Sequence, residues 1–141
     1  MLRIELRKMF RSNGLIDDVL VYGTPEDYAQ FSEHVNIAIS SPEAVVLSGE
    51  SPICIEISKD NNSDHLFTSL QNERNEYYSM EDWEARSILR VVGTEVVLNE
   101  LSSFLHDLSA RGEGYSYISE FSASSEYSIF SPEWRLNVQN T

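Results

Sequence analysis

The chain has 141 residues, 41% of them hydrophobic and 11% aromatic, with ten Lys and Arg against 23 Asp and Glu and a formal net charge of −13. That length suits one compact domain that buries a core without disulfides or metals, and the apolar content excludes a disordered chain. The charge excludes nucleic acid and membrane surfaces as direct partners, since both need a basic face, and it favours a basic protein, although acidity also simply keeps a protein soluble.

The charges are unevenly placed. Arg3, Arg7, Lys8 and Arg11 fall in the first eleven positions, so residues 12–141 hold six bases against 22 acids. From Ser12 to Ser58 there is no Lys or Arg beside Asp17, Asp18, Glu26, Asp27, Glu33, Glu43, Glu50 and Glu56. Such a stretch presents a one-sign field that speeds association with a cationic partner.

In chain order, Leu2, Ile4 and Leu6 alternate with Arg3, Glu5 and Arg7, which predicts an N-terminal strand. Asn13-Gly14 predicts a hairpin turn into Val19–Tyr22. Gly23-Thr24-Pro25 followed by Glu26 and Asp27 reads as a helix start, with Thr as N-cap, Pro at the first position and acids in the first turn. Tyr28, Phe31, Val35 and Ala38 then form one apolar stripe, and the helix is expected to end near Ser40-Ser41-Pro42. Strands are expected at 44–48 and, after Ser51-Pro52, over Ile53–Ile57, with Cys54 a buried and inert thiol. As the one cysteine, Cys54 permits no internal disulfide.

An offset of 70 residues repeats this pattern. Leu89–Thr94 matches Val19–Thr24, and Leu98, Leu101, Leu105 and Leu108 match the first stripe, with Ser32 and Ser102 coinciding. A strand at 115–121 and a second Ser-Pro, Ser131-Pro132, before 133–138 complete the second copy, with one residue of slip after the proline. Tyr115, Tyr117 and Phe121 are expected on the core face, leaving Ser116, Ile118 and Glu120 outward. The expected fold is therefore α+β, a single domain over 1–141. A first β-α-β-β unit (1–58, with its N-terminal strand) and a second (87–141) form one largely antiparallel twisted sheet with both helices on one face. The acidic connection 59–86 contains Leu66, Phe67, Leu70, Tyr77, Tyr78, Met80 and Trp83, too apolar for a tether, so part of it should pack.

No motif in the chain carries chemistry. There is no G-x-S-x-G, Ser48-Gly49-Glu50-Ser51 reads as a hairpin turn, and His34, His65 and His106 lack metal-ligand spacing. Gly23 and Gly93 are single glycines, not a phosphate-binding loop. No enzyme activity, no metal and no cofactor are expected. The first ten residues have no signal-type apolar region and no run reaches membrane-spanning length, so the expected compartment is the cytoplasm.

What remains is recognition. The order apolar strand, Gly-Thr, helix with a Leu-x-x-Leu-x-x-x-Leu stripe, strand and closing Ser131-Pro-Glu-Trp-Arg-Leu-Asn-Val138 resembles small immunity proteins of bacterial polymorphic-toxin and contact-dependent growth-inhibition systems. The resemblance implies a non-enzymatic inhibitor that binds a cognate basic toxin domain, such as a nuclease, and occludes its active site. It carries over no interface residue. Charge and expected loop exposure select Asp17, Asp18, Glu50, Glu81, Asp82, Glu84, Glu120 and Glu126 as partner-binding candidates. The alternatives are an acidic assembly module acting through homodimerisation and, third, a small hydrolase or transferase.

Overall fold

A computed structural model describes residues 1–11, 14–49, 52–71, 87–129 and 131–140; for 7–11, 14–18 and 71 the description is of the backbone. Among the described residues eight strands and two α-helices follow in the order β1 (Arg3–Arg11), β2 (Gly14–Gly23), α1 (Pro25–Ser40), β3 (Val45–Leu47), β4 (Cys54–Lys59), β5 (Phe67–Gln71), β6 (Ile88–Gly93), α2 (Glu95–Arg111), β7 (Gly114–Tyr117) and β8 (Trp134–Val138). The fold is α+β.

The helices form where caps and periodicity agree. Thr24 caps α1 by accepting from the Asp27 N–H while Asp27 accepts from the Thr24 N–H at 2.8 Å, a reciprocal capping box. Thr94 caps α2 through the Val97 N–H at 3.3 Å. Each helix buries one stripe: Tyr28, Phe31, Ser32, Val35 and Ala38 on α1, and Leu98, Leu101, Ser102, Leu105 and Leu108 on α2. Gly112 stops α2 at φ +84°, a left-handed conformation that side chains resist.

The helices meet at their serines. Ser32 Oγ donates to the Ser102 carbonyl at 2.8 Å, Ser102 Oγ donates to the Ser32 carbonyl at 3.2 Å, and the hydroxyls lie 2.9 Å apart. Both are buried, so two small residues let the backbones approach while each hydroxyl finds a partner.

The strands differ from the expected single antiparallel sheet. They make two mixed sheets of four, ordered β1-β2-β8-β7 and β3-β4-β6-β5. In each, the outer pairs are antiparallel and the central pair is parallel: Val21 lies opposite Leu136 and Ile57 opposite Val91. The reason is that the last strand of each half pairs with the other half. Local hairpins cannot produce a parallel pair, which needs a longer connection: the chain from β4 to β6 passes through β5, and the chain from β2 to β8 contains every element from α1 to β7. The two central pairs close alike, with the Gln139 N–H donating to Gly23 at 2.8 Å and the Asp60 N–H to Gly93 at 2.9 Å. Part of the 59–86 connection packs as β5 on β6.

The inner faces of both sheets and the helix stripes share one core, with Val19, Val21, Ile55, Ile57, Leu89, Val91, Trp134 and Leu136 nearly inaccessible. The sheets also touch directly. Gly49, after β3, passes so close to Leu2 that a Cβ there would sit 2.1 Å from the Leu2 carbonyl oxygen. At the other junction Leu66 and Tyr127 form a parallel bridge. Beside it runs a chain of donors: Trp134 Nε1 donates to Thr68 Oγ1 at 3.2 Å, Thr68 lies 2.6 Å from the Tyr127 hydroxyl, and that hydroxyl donates to the Pro132 carbonyl. Burial raises the Tyr127 phenol far above its ordinary value, so it stays protonated and a donor.

Two expectations fail in detail. Cys54 is half-buried on the outer face of the second sheet rather than in the core, because Ile53, Ile55 and Ile57 take the inward positions. On β7 the parity is reversed: Ser116 and Ile118 are buried with Phe121, while Tyr115 and Tyr117 are exposed. The strand stops at Tyr117 and a 3-10 turn, Ile118–Glu120, breaks the alternation.

Replacing Ser32 with Leu should cost about 1–3 kcal/mol by overpacking the helix contact, and Ser32→Ala about 1 kcal/mol or less, read from urea denaturation midpoints. Thr68→Val should cost about 1–3 kcal/mol, because the buried indole N–H and phenol each lose a partner.

Candidate partner-binding surface

Charge is sorted between the layers. α1 has no Lys or Arg, and α2 has Arg111 alone, whose Nη1 donates to Ser116 Oγ at 2.9 Å. The outward helix positions carry Glu26, Glu33, Glu95 and Asp107, exposed, with Glu100 half-buried. Asp27 is the exception, buried at the start of α1. Burial works against its charge, but the chain's amino group at 2.8 Å and the Thr24 contacts hold its carboxyl below the usual range.

Beside α2 lies an open groove of about 490 Å³. Phe104 and Phe121 supply apolar surface, and Glu100, Asp107 and Glu120 supply carboxylates. Glu100 and Asp107 are seven residues apart, two turns along one helix face. The far wall is a serine turn: Ser122 Oγ accepts from the Ser124 and Ser125 N–H groups at 3.0 and 2.9 Å, and Ser124 Oγ donates to Glu100 Oε1 at 2.7 Å. The Ser122 hydroxyl first, with Ser124 and Ser125, holds the Glu100 carboxyl below the usual range, so it is ionised at neutral pH. A second depression of about 310 Å³, reaching Asn36 of α1 and His106 of α2, adjoins the first and shares Asn99, Ser103 and Asp107 with it.

Apolar floor and acidic rim suit a Lys or Arg side chain, whose stem packs on aromatic surface while its head reaches a carboxylate. His34 Nδ1 bonds the Gln30 carbonyl at 2.8 Å on an exposed helix face. Among the described residues no three His, Cys, Asp or Glu side chains converge as a metal site requires. No described helix is long and apolar enough to cross a membrane.

Among the described residues, the candidates chosen from the sequence lie on different elements. Asp17 and Asp18 lie on β2 with their backbone in register with Lys8 and Arg7 of β1. Glu50, Glu81, Asp82 and Glu84 lie outside the described residues. Glu120 ends the 3-10 turn, accepts from the Tyr117 N–H at 3.2 Å and joins the groove. Glu126 lies at the sheet junction, 3.1 Å from His65 Nε2, whose Nδ1 is 3.0 Å from Asp64. Sequence reasoning missed Glu100 as a partner of Asp107; the signal was their seven-residue spacing on an α2 face without a base.

No protein-family model, no curated protein and no solved structure matches this chain.

The His65 cluster gives a pH prediction. The hydrogen bond to Asp64, aided by Glu126, raises the His65 pKa above 6.5. The clip is therefore in place below pH 6.5 and is lost as pH rises through the raised value. An NMR titration should place the His65 midpoint above that of a free histidine, and Glu126→Gln should lower it. A midpoint indifferent to Glu126→Gln would show that the bridge does not form.

Proposed function

We propose that the chain is a non-enzymatic inhibitor: an immunity protein of a bacterial polymorphic-toxin or contact-dependent growth-inhibition system. It acts in the cytoplasm by binding the basic domain of a cognate toxin and covering its active site. The observation that carries this reading is the helix layer, acidic along both helices, with the groove of Glu100, Asp107 and Glu120 set over Phe104 and Phe121. A nuclease presents a basic substrate channel, and a rigid acidic layer competes for it. Each exposed ion pair contributes roughly 0–1 kcal/mol, so affinity rests on several pairs together with an aromatic anchor, and steering sets the association rate.

The test is protection. Co-expression with a basic C-terminal domain encoded beside this gene should restore growth. The triple change Glu100→Lys, Asp107→Lys and Glu120→Lys should abolish rescue while leaving the fold intact by circular dichroism. Association of the purified proteins should slow as salt rises, by roughly tenfold or more between low and physiological ionic strength. Rescue by the triple variant, or by any unrelated acidic domain, would overturn the reading.

A further inference from the structure

The outer face of the first sheet contrasts with the helix layer. Arg3 on β1 and Arg135 on β8 stand on this outer face. One row across the sheet reads Glu5, Leu20, Arg135, Tyr117, and the next reads Arg3, Tyr22, Asn137, Tyr115. Their neighbours along the strands, Ile4, Val21, Leu136 and Ser116, are buried, so these two rows face outward.

Aromatic rings hold the cations in place. The Arg135 guanidinium lies 4.0 Å from the Tyr115 ring centre, Arg3 lies 4.5 Å from that of Tyr22, and Tyr115 meets Tyr117 edge to face at 6.0 Å. Arg3 also has Glu5 at 3.5 Å, and Arg90 on the second sheet has Glu56 at 3.2 Å. Arg135 differs: its Nε is covered without a hydrogen bond, and among the described residues it has no carboxylate partner, in a chain with 23 acids. A stacked arginine without a carboxylate partner among the described residues is a strong anchor for a carboxylate brought by another molecule.

The row supplies that carboxylate by symmetry. Glu5 and Arg135 flank Leu20 on the two strands either side of β2, each about 4.8 Å away. A two-fold axis along β2, in the plane between two facing sheets, exchanges the two sides. It places Glu5 of one copy over Arg135 of the other, twice, around contacts of Leu20 and Tyr22 with their own counterparts. We propose that this face is an isologous interface between two copies of the chain, pinned by the reciprocal Glu5–Arg135 pairs.

Electrostatics favour this face over any other. Two copies carrying −13 each repel, and the association that costs least joins surfaces where Arg3 and Arg135 offset the acids and keeps the acidic helices apart. The helices pack on the inner side of the sheets, so a face-to-face dimer directs both acidic layers outward. From strand lengths and spacing the face covers about 450 Å² per copy, about 900 Å² for the pair, near the lower limit for a specific interface. The dimer is therefore weak and concentration-dependent. It leaves the α2 groove free, so it stands or falls separately from the inhibitor reading.

Sedimentation equilibrium of the full chain, from micromolar to millimolar at physiological salt, tests this directly. The wild type should show a monomer–dimer equilibrium. Arg135→Glu and Glu5→Arg should each weaken it by about tenfold or more, and the double variant carrying both should recover to within about threefold of wild type. Changing Glu100 and Asp107 should leave it unmoved. If Arg135→Glu unfolds, Glu5→Arg, at an exposed position, gives the same reading. A monomer at every concentration would overturn the proposal, as would single variants that dimerise normally or a double variant no better than either single. Loss of toxin binding by Arg135→Glu in a protein that stays monomeric would assign the face to that partner instead.

Discussion

Two parallel strand pairs, β2 with β8 and β4 with β6, bind the first half of the chain to the second. Every other feature depends on them. Neither half can complete a sheet alone: without β8 and β7, the β1-β2 hairpin would leave β2 with an open edge, and β3-β4 would stand as a short isolated ladder, marginal in water. Because each half closes the other's sheet, the helices that follow β2 and β6 come to the same core and meet at Ser32 and Ser102. A larger residue at either serine would push the helices apart and strain both sheets.

This arrangement gives the molecule two unlike surfaces. The helices emerge from caps at Thr24 and Thr94, where acids in the first turn are stabilised by the helix dipole, and neither helix needs a base to fold. Their outward faces are free to be acidic. The outer face of the first sheet instead gathers arginines over tyrosines, where cation–π contact with Tyr22 and Tyr115 anchors the charge. The net charge of −13 is thus a sum over a strongly acidic layer and a mixed one. The groove beside α2 combines ionised Glu100 with the Phe104 and Phe121 surfaces, and recognition of a basic protein uses both.

The helices were legible in the sequence because their determinants are local. Thr at the cap, Pro25 at the first turn, the 3-4-3 stripe and Gly112 each act within a few residues, and α1 and α2 lie where those signals put them. The strands were legible for the same reason except β5, which lies in a connection expected only to pack in part. Strand partnership was not: placing Val21 against Leu136 is a choice between distant segments that alternation does not rank. The same non-locality applies to charge. The backbones of Asp17 and Asp18 lie opposite those of Lys8 and Arg7 across the hairpin, a neighbourhood that reading along the chain does not show. At β7 the error was one of period, since the 3-10 turn after Tyr117 let Ile118 enter the core and left the tyrosines outside. Of the groove, Glu120 was found through expected loop exposure, whereas Glu100 needed the fold of the serine turn back onto α2.

If the crossed pairing is the constraint on which the molecule depends, the two sheets cannot open independently. Native-state hydrogen exchange in increasing urea, read at the amides of Val21 and Leu136 in the first sheet and Ile57 and Val91 in the second, measures this residue by residue. All four should merge into one opening reaction whose free energy equals that of global unfolding. Exchange of either sheet's amides through a separate, lower-energy opening would contradict the account.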